Sequence, residues 1–226
     1  MSGRRPMLAP PSGPSNVARS KPFALLPHSV PRRLTDPIVS VLARIGVSPN
    51  HLTLLGFAGN VGAAVLAARG EFLAAGLVML VFSAVDLLDG ALARATGRSS
   101  AFGAVFDSTL DRLSEAAVLS GLAFYYVQRG SEEEVVLCFA ALTGSILVSY
   151  VRARAQFFGL DLSDGLFTRA ERVLLLSGGL IINQVRIALW ILAIMAGVTA
   201  MQRLFVVWDR FRRDPPPIEG RQIERR

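Results

Sequence analysis

Six long runs of residues without a charged side chain decide the fold class of this chain. They cover 53–68, 72–85, 116–128, 135–151, 173–185 and 187–202. Each run reaches the roughly 20 residues of a membrane-spanning helix once its flanking residues are included. Backbone groups in hydrocarbon must be hydrogen-bonded within the protein, and continuous apolar runs lack the alternation of barrel strands. We therefore predict an all-α integral membrane protein. Its six transmembrane helices are expected at about 51–70, 71–95, 101–128, 134–157, 168–185 and 186–207.

The basic residues fall on alternate sides of this six-span path. Arginines precede the first run, follow the second, surround the fourth-to-fifth connection and fill the end of the chain, whereas the loop after the third run carries the acidic residues 132–134. By the positive-inside rule, we expect a multi-pass plasma-membrane protein with both termini in the cytoplasm. The formal net charge is +7. Because no nucleic-acid-binding motif accompanies this charge, we expect membrane lipids and no nucleic acid as partners.

The two ends of the chain differ in composition from its centre. Residues 1–30, rich in proline and small polar residues, are predicted to form a disordered cytoplasmic tail, and residues 209–226 are predicted to form a second one. The membrane domain between them, 31–208, begins with a predicted helix over about 34–46. In this helix Asp36 is expected to cap the N-terminus and Pro37 to occupy the first position.

This first helix is predicted to be amphipathic. Apolar side chains recur at helical spacing, at Leu34, Ile38, Leu42 and Ile45. Such a stripe can enter the acyl boundary of a bilayer while neighbouring arginines contact headgroups, which favours an interfacial helix. The alternative is a helix that packs only on the rest of the protein.

Cysteine and histidine are too scarce to build a catalytic or metal site. Cys138 is the single cysteine, and the two histidines, His28 and His51, lie far apart in the sequence. The chain contains no phosphate-binding loop, dinucleotide-binding glycine motif or Ser-His-Asp candidate. Carboxylates and arginines remain, and these suit hard metal ions and phosphate groups.

Four aspartates interrupt the apolar pattern around the second and third runs. Asp86 and Asp89 are three residues apart, and Asp107 and Asp111 are four apart, so each pair lies on one face of its helix. The turn signal at 96–100 lies midway between the pairs, and a chain reversal there would bring all four carboxylates to similar heights. Such a cluster requires cations, because buried like charges otherwise raise one another's free energy.

A hard divalent ion is the cation that best fits four carboxylates. Mg²⁺ takes oxygen ligands and keeps positions open for phosphate oxygens, and a two-metal site suits phosphoryl chemistry. Glycines at 90 and 103 would let helices or a ligand approach closely. In the alternative interpretation, the aspartates cap helices or pair with Arg94 and Arg112. A non-enzymatic cation-binding membrane protein is a third possibility.

The aspartate segment resembles the signature of the CDP-alcohol phosphotransferase family. The pattern Asp-x2-Asp-Gly-x2-Ala-Arg-x8-Gly-x3-Asp-x3-Asp begins at Asp86 and ends at Asp111. The resemblance implies six membrane helices around a polar cavity open to the cytoplasm, a CDP-linked lipid donor, release of CMP and a homodimer. It also implies two Mg²⁺ ions, for which Mn²⁺ can substitute. Asp86, Asp89 and Asp107 would hold one ion and Asp86, Asp107 and Asp111 the other, with Asp111 as the catalytic base.

The same resemblance implies the nucleotide contacts. The segment "SPNHLTLLG" at 48–56 is similar to the part of the family that contacts cytidine. The implied contacts to the CDP-lipid are Asn50, His51, Leu52, Thr53, Gly90, Arg94 and Ser100. Alternatively, the polar residues before the first run serve only to start a helix.

The identity of the acceptor alcohol is predicted from a later part of the chain. The segments "SYVRARAQFFGL" and "GLFTRAERV", with "MQRLFVVW" in the last span, resemble family members that attach inositol phosphate, including bacterial phosphatidylinositol phosphate synthases. Arginines can hold a phosphomonoester through paired hydrogen bonds. The phosphate-binding residues would be Arg152, Arg154, Arg169 and Arg172. Alternatively, these arginines anchor helix ends at the cytoplasmic surface.

The resemblance thus implies transfer of the phosphatidyl group of CDP-diacylglycerol to inositol 1-phosphate (myo-inositol 3-phosphate). Gln156 departs from the related members, which often have glutamate at this position. Glycerol 3-phosphate, serine or choline as acceptor, and an ether-linked archaetidyl donor, remain open alternatives.

Overall fold

A computed structural model describes residues 32–162 and 167–214, and within these residues all regular secondary structure is α-helical. The seven helices are α1 (Arg32–Arg44), α2 (Pro49–Ala68), α3 (Phe72–Ala95), α4 (Ala101–Gln128), α5 (Glu132–Phe157), α6 (Arg169–Ile181) and α7 (Val185–Arg213). One helix therefore lies at each of the six predicted spans, and one precedes them. The predicted N-terminal tail lies outside the described residues, as does the C-terminal tail beyond residue 214.

Two predicted boundaries differ from the structure. Helix α1 begins at Arg32, so Pro37 lies inside it and Asp36 is not its N-cap. Proline's fixed φ is compatible with a helix, and the cost of this position is one lost backbone hydrogen bond near the N-terminal end. Helix α7 continues to Arg213 rather than ending near residue 207. Part of the predicted C-terminal tail is therefore helical.

Four of the described helices, α2, α3, α5 and α7, are long and apolar enough to cross a membrane. Helix α4 has 28 residues, but its first half carries the two aspartates, Arg112 and Glu115. Helix α6 has only 13 residues, about 20 Å at 1.5 Å per residue. The prediction of an all-α membrane protein is thus confirmed, with four candidate spans among the helices.

The six helices after α1 pack as a closed ring. Each packs against two neighbours, in the order α2, α3, α6, α7, α5, α4 and back to α2. One end of this ring is filled by a large apolar core that receives residues from all six helices, among them Ala67, Met79, Leu122, Cys138, Leu180 and Leu189. The four aspartates lie toward the other end, since they occupy the last part of α3 and the first part of α4. The fold therefore closes the ring at one end and leaves polar groups at the other.

Helix α1 packs beside the polar end of the ring. Val39 is buried in a small cluster with Leu52 of α2 and Leu92 of α3. A second face exposes apolar side chains, because Ile38 and Val41 are 49% and 56% accessible. The helix therefore packs on the protein through one face and presents a second apolar face outward, as an interfacial helix requires.

Helices α2 and α4 approach so closely that a side chain cannot fit between them. A Cβ atom at Gly121 would lie 2.2 Å from the carbonyl oxygen of Ala64. Small residues at helix crossings allow the close backbone packing that stabilises membrane helices. Gly121 therefore sets the distance between α2 and α4, the helix that carries Asp107.

We predict that Gly121→Ala destabilises the protein, because the added methyl group must push two backbones apart. Overpacking of this kind costs about 1–3 kcal/mol, which thermal unfolding in detergent would detect as a lower Tm. Gly178→Ala is the matched control, since a Cβ at Gly178 meets no atom within 4 Å. An equal Tm for Gly121→Ala and the parent protein would contradict this account of the crossing.

Candidate active site

An acidic cluster forms where the last part of α3 faces the first part of α4. Asp86 and Asp89 of α3 and Asp107 of α4 offer carboxylate oxygens that all lie within 4.8 Å of one another. Asp86 and Asp89 are buried. Helix α2 packs against both α3 and α4, and so holds them at the distance at which their aspartates meet. Three of the four predicted ligands therefore come together.

Asp111 is connected to this cluster through an arginine. Arg169, the first residue of α6, places Nη2 2.8 Å from Oδ2 of Asp86 and 2.7 Å from Oδ1 of Asp111. The structure thus places a residue predicted to bind the acceptor phosphate directly on two predicted metal ligands. In the described part of the chain, the ion pairs of the aspartates are to Arg169 and not to Arg94 or Arg112. Arg112 instead donates to the carbonyl of Ser108.

The donor set fits a hard divalent cation. It offers only carboxylate oxygens, which are the ligands that Mg²⁺ and Mn²⁺ prefer. Three of these oxygens converge in a buried place, where ionised carboxylates repel one another without a bound cation. Asp86, Asp89 and Asp107 are thus the residues of this structure that could hold a metal ion directly.

A threonine of α2 orients one of these carboxylates. The hydroxyl of Thr53 donates to Oδ2 of Asp89 at 2.5 Å, and both side chains are buried. Oδ2 of Asp89 is therefore held by a hydrogen bond, while the same carboxylate takes part in the acidic cluster. Hydrogen-bond partners of this kind fix the position of metal-ligating side chains.

A cavity of about 250 Å³ opens beside the aspartates. Its wall includes five of the predicted nucleotide-binding residues, together with Asp89, Asp107 and several residues that sequence reasoning did not select. The predicted five are Asn50, Thr53, Gly90, Arg94 and Ser100. Gly103, named above as a position of close approach, also lines the cavity, and the residues not selected from the sequence are Pro49, Ala93, Arg98, Ser99 and Ala104. The turn between α3 and α4 supplies Arg98, Ser99 and Ser100, and the first turn of α4 supplies Gly103 and Ala104.

Two predicted nucleotide contacts do not line this cavity. The side chain of His51 is exposed, and that of Leu52 is buried against Val39 and Leu92. The reason is helical periodicity: Asn50 and Thr53 are three residues apart and share a face of α2, whereas the two residues between them point elsewhere. Of the contiguous segment predicted from the sequence, one helix face lines the cavity, and the contacts of His51 and Leu52 stay predictions.

Gly90 and Ser100 have clear local roles in the cavity wall. A Cβ at Gly90 would meet only Nη1 of Arg94, at 3.4 Å, so glycine leaves space for a ligand rather than for a neighbouring helix. The hydroxyl of Ser100 accepts a hydrogen bond of 2.9 Å from the backbone N–H of Gly103 and caps α4. This cap explains why α4 begins at the edge of the cavity.

The four predicted phosphate-binding arginines do not form one group. Arg172 is buried and pairs with Glu115 through two hydrogen bonds of 2.8 and 3.0 Å. Arg154 is exposed and lies over the rings of Phe157 and Phe158. The remaining two are Arg169, on the aspartates, and Arg152, which is exposed. Only the three-dimensional packing separates these four residues, which all lie near one loop in the sequence.

A fifth arginine in this region was missed in the sequence. Arg203 of α7 is 4% exposed, and its Nη1 donates to the carbonyl of Val148 at 2.8 Å. Its Nε has no hydrogen-bond partner among the described residues. Arg152 and Arg172 are the charged residues that act on it electrostatically. The available signal was an arginine inside a predicted span, since ionisable residues there usually have a function.

The chain matches the family described as CDP-alcohol phosphatidyltransferase over residues 46–208. This match covers well over half of the sequence and includes every residue of the cluster and the cavity described above. The chain therefore belongs to the CDP-alcohol phosphatidyltransferase family. The prediction of a membrane enzyme of phospholipid synthesis from this family is confirmed.

Curated relatives match most of the chain. A phosphatidylinositol phosphate synthase of Mycobacteroides abscessus is 36% identical over 192 residues, which covers 81% of this chain and 87% of the relative. An archaetidylinositol phosphate synthase of Pyrococcus horikoshii is 38% identical over 176 residues, covering 75% and 88%.

Solved structures of one relative share the fold. The Mycobacterium tuberculosis phosphatidylinositol phosphate synthase with bound CDP-DAG aligns with a TM-score of 0.71 and 34% identity, covering 78% of this chain and 94% of the other. A second structure of that enzyme, in complex with manganese and citrate, also has a TM-score of 0.71. The predicted use of a divalent metal ion agrees with that manganese complex and with the three converging aspartates of this chain.

We predict that Thr53→Val weakens divalent metal binding by about tenfold or more, because Asp89 loses the hydrogen bond that orients it. The affinity of the purified protein for Mn²⁺ can be measured from the EPR signal of the free ion. Thr199→Val is the matched control, since the buried Thr199 hydroxyl donates only to the carbonyl of Met195 in its own helix. If both variants bind Mn²⁺ equally well, Thr53 does not orient a ligand.

Proposed function

We propose that this protein transfers the phosphatidyl group of CDP-diacylglycerol to a hydroxyl of inositol 1-phosphate (myo-inositol 3-phosphate). The products are phosphatidylinositol phosphate and CMP. The observation that carries this proposal is the convergence of Asp86, Asp89 and Asp107 at the wall of a cavity that also contains Arg94. Carboxylates for metal ions, a basic residue and a space for a nucleotide are the components that transfer between phosphates requires.

The cavity is proposed to bind the CDP part of the donor. Asn50 and Thr53 form its α2 wall, Gly90 leaves room for the diphosphate, and Arg94 offers a guanidinium group to phosphate oxygens. The N-terminal end of α4, capped by Ser100, lies at the same opening and adds the positive end of a helix dipole. These groups place the donor phosphorus beside the aspartates.

The aspartates are proposed to hold two Mg²⁺ ions, one on Asp86, Asp89 and Asp107 and the other on Asp86, Asp107 and Asp111. Bound ions would supply positive charge to the phosphate oxygens and to the departing CMP. The chain's own contribution is to hold the ligands in place, through the Thr53 hydrogen bond and the packing of α2 between α3 and α4.

Asp111 is proposed as the base of the reaction. The acceptor hydroxyl oxygen attacks the phosphorus that carries diacylglycerol, the bond from that phosphorus to the CMP oxygen breaks, and the hydroxyl proton passes to Asp111. Asp111 lies one helical turn beyond Asp107, so it can reach a hydroxyl that approaches the same phosphorus from the side opposite the nucleotide. Its contribution is positioning at least as much as basicity.

The acceptor phosphate is proposed to bind at a group of three arginines, Arg152, Arg172 and Arg203. They come from α5, α6 and α7, and Arg203 has an unpartnered Nε although it is buried. Glu115 neutralises one of them, so an excess of positive charge remains on the buried Arg203 and the exposed Arg152. A phosphomonoester would offset that charge and accept the free N–H.

We further propose that all six ring helices are embedded in the plasma membrane and that both termini lie in the cytoplasm. We also propose that the enzyme is a homodimer. The closed ring supports the first point, because α4 and α6 each lie between two candidate spans. The charged half of α4 lines the cavity, which lets a helix with aspartates remain in the bilayer. The arginine-rich end of α7, Arg210 to Arg213, supports a cytoplasmic C-terminus.

The donor lipid has a second candidate. The Pyrococcus relative, named an archaetidylinositol phosphate synthase, has an identity to this chain similar to that of the phosphatidyl enzymes. Purified protein should therefore be incubated with Mg²⁺ and either CDP-diacylglycerol or CDP-archaeol, and with inositol 1-phosphate, glycerol 3-phosphate, serine, choline or no acceptor. CMP release that requires inositol 1-phosphate supports the proposal, and release that requires glycerol 3-phosphate instead would contradict it.

We predict that Asp111→Asn lowers CMP release by at least about a hundredfold, because an amide cannot accept the hydroxyl proton. Product formation from radiolabelled acceptor measures this rate at saturating Mg²⁺ and substrates. Ser108→Ala, a half-buried position on the same helix whose hydroxyl donates only to a carbonyl of that helix, is the control. Turnover of Asp111→Asn at the parent rate would exclude Asp111 as the base.

We predict that the two subsites separate kinetically. Arg203→Gln should raise the KM for the acceptor by tenfold or more, because a charged hydrogen bond of about 1.5–3 kcal/mol is lost, with little change in the KM for the CDP-lipid. Asn50→Ala should do the reverse, since Asn50 lines the nucleotide cavity. If Arg203→Gln raises the KM of the CDP-lipid instead, the acceptor site is misplaced.

A further inference from the structure

Arg169 occupies the boundary between the acidic cluster and the arginine group. One of its nitrogens, Nη2, contacts both Asp86 and Asp111, at 2.8 and 2.7 Å. Arg172, three residues later, shares the same face of α6 and belongs to the proposed acceptor site. A single side chain is therefore within reach of two sites that attract opposite charges.

The backbone that carries Arg169 is fixed. Helix α6 starts with a capping box, in which the backbone N–H of Thr168 donates to a carboxylate oxygen of Glu171 at 2.5 Å. Arg172 on the next turn is held by Glu115, which also accepts a hydrogen bond of 2.7 Å from Ser145. The Arg169 side chain is 27% exposed and less tightly enclosed than that of Arg172, so it has room to change partners while the capped backbone keeps its place.

The contacts of Arg169 conflict with the proposed working state of the cluster. Oδ2 of Asp86 accepts a hydrogen bond from the guanidinium, and Oδ1 of Asp111 forms an ion pair with it, so the guanidinium occupies the space beside both oxygens that a cation or an acceptor hydroxyl would need. Two divalent ions would balance the charge of four carboxylates without Arg169. The guanidinium would then be a surplus cation close to two ions, and repulsion would favour its departure.

We infer that Arg169 is an exchangeable counter-ion that couples metal binding to acceptor binding. It pairs with Asp86 and Asp111 when the cluster holds no divalent ion, leaves them when ions bind, and then contacts the phosphate of the acceptor beside Arg172. This inference rests on the proposed function for its acceptor part. The competition between Arg169 and metal depends only on the cluster itself.

Coupling of this kind must be reciprocal. If metal binding releases Arg169 for the acceptor, then a bound phosphomonoester that holds Arg169 must raise the affinity of the cluster for metal. Arg169 also leaves Asp111 in the same step. The base therefore becomes available when metal ions bind, and a bound acceptor favours that state.

The test measures Mn²⁺ affinity by EPR of the free ion, on purified full-length protein in detergent, with and without saturating inositol 1-phosphate. In the parent protein, we expect the phosphomonoester to tighten Mn²⁺ binding about fivefold or more. Chelation of Mn²⁺ by the phosphate in solution also lowers the free-ion signal, so the same titration without protein is subtracted. Equal affinities with and without phosphomonoester would overturn the coupling.

Arg169→Gln should bind Mn²⁺ about fivefold or more tightly than the parent in the absence of acceptor, because the competing cation is gone, and should no longer respond to the phosphomonoester. Arg169→Lys keeps the charge and should stay near the parent affinity. Arg186→Gln is the matched control, because Arg186 likewise pairs with two carboxylates, Glu133 and Glu134, but these lie at the beginning of α5. It should leave both measurements unchanged.

The outcomes separate this inference from the proposed function. Arg169→Gln binding Mn²⁺ no more tightly than the parent would overturn the competition, whichever acceptor the enzyme uses. If competition is found but only glycerol 3-phosphate tightens Mn²⁺ binding in the parent, the counter-ion role stands and the acceptor assignment fails. If Arg169→Gln does not fold, the titrations of the parent protein and of Arg169→Lys still test the coupling. Mn²⁺ binding by the parent protein that does not respond to the phosphomonoester is enough to contradict it.

Discussion

Carboxylates gathered in a low-dielectric interior must have cationic partners, and the rest of this structure depends on that requirement. Asp86, Asp89 and Asp107 approach within 4.8 Å, where unpaired negative charges would strongly oppose folding. The protein keeps them there with an apolar core that closes the far end of the ring and with α2, which packs against both helices that carry them. An enzyme that binds metal ions and phosphates at this cluster uses the same charge that makes the cluster costly to fold.

Two groups of opposite charge, the acidic cluster and the arginines of the proposed acceptor site, lie next to each other. The acidic side borders a cavity with Arg94 and the capped start of α4, and the other side borders arginines from α5, α6 and α7. The Glu115–Arg172 pair, joined by Ser145, fixes three helices of the ring at this border. A buried, hydrogen-bonded pair of this type also keeps Arg172 oriented. The arrangement suits a reaction in which a nucleotide diphosphate and a phosphomonoester must meet without repelling each other.

Much of the fold could be predicted from the sequence, because it depends on local patterns. Continuous apolar runs exclude a barrel and require helices, and six helices lie at the expected positions. The two aspartate pairs, at spacings of three and four, were expected to converge, and three of the four aspartates do. The predictions that were wrong concern details with weak sequence signals. The start of α1 was misplaced because proline is tolerated near a helix N-terminus. The predicted contacts His51 and Leu52 lie away from the cavity wall, because the resemblance covered a segment rather than a helix face.

The sequence by itself determined the membrane helices, the acidic cluster and the family chemistry, since each is written in spacing and composition. Only the tertiary structure decided which arginines meet which partners. Arg169, Arg172 and Arg203 look alike in the sequence, yet one contacts aspartates, one is neutralised by Glu115, and one keeps an unpartnered Nε. The physical reason is that charge pairing depends on distances between helices that are far apart in the chain. Those distances are set by the packing of the ring, and no local pattern in the sequence records them.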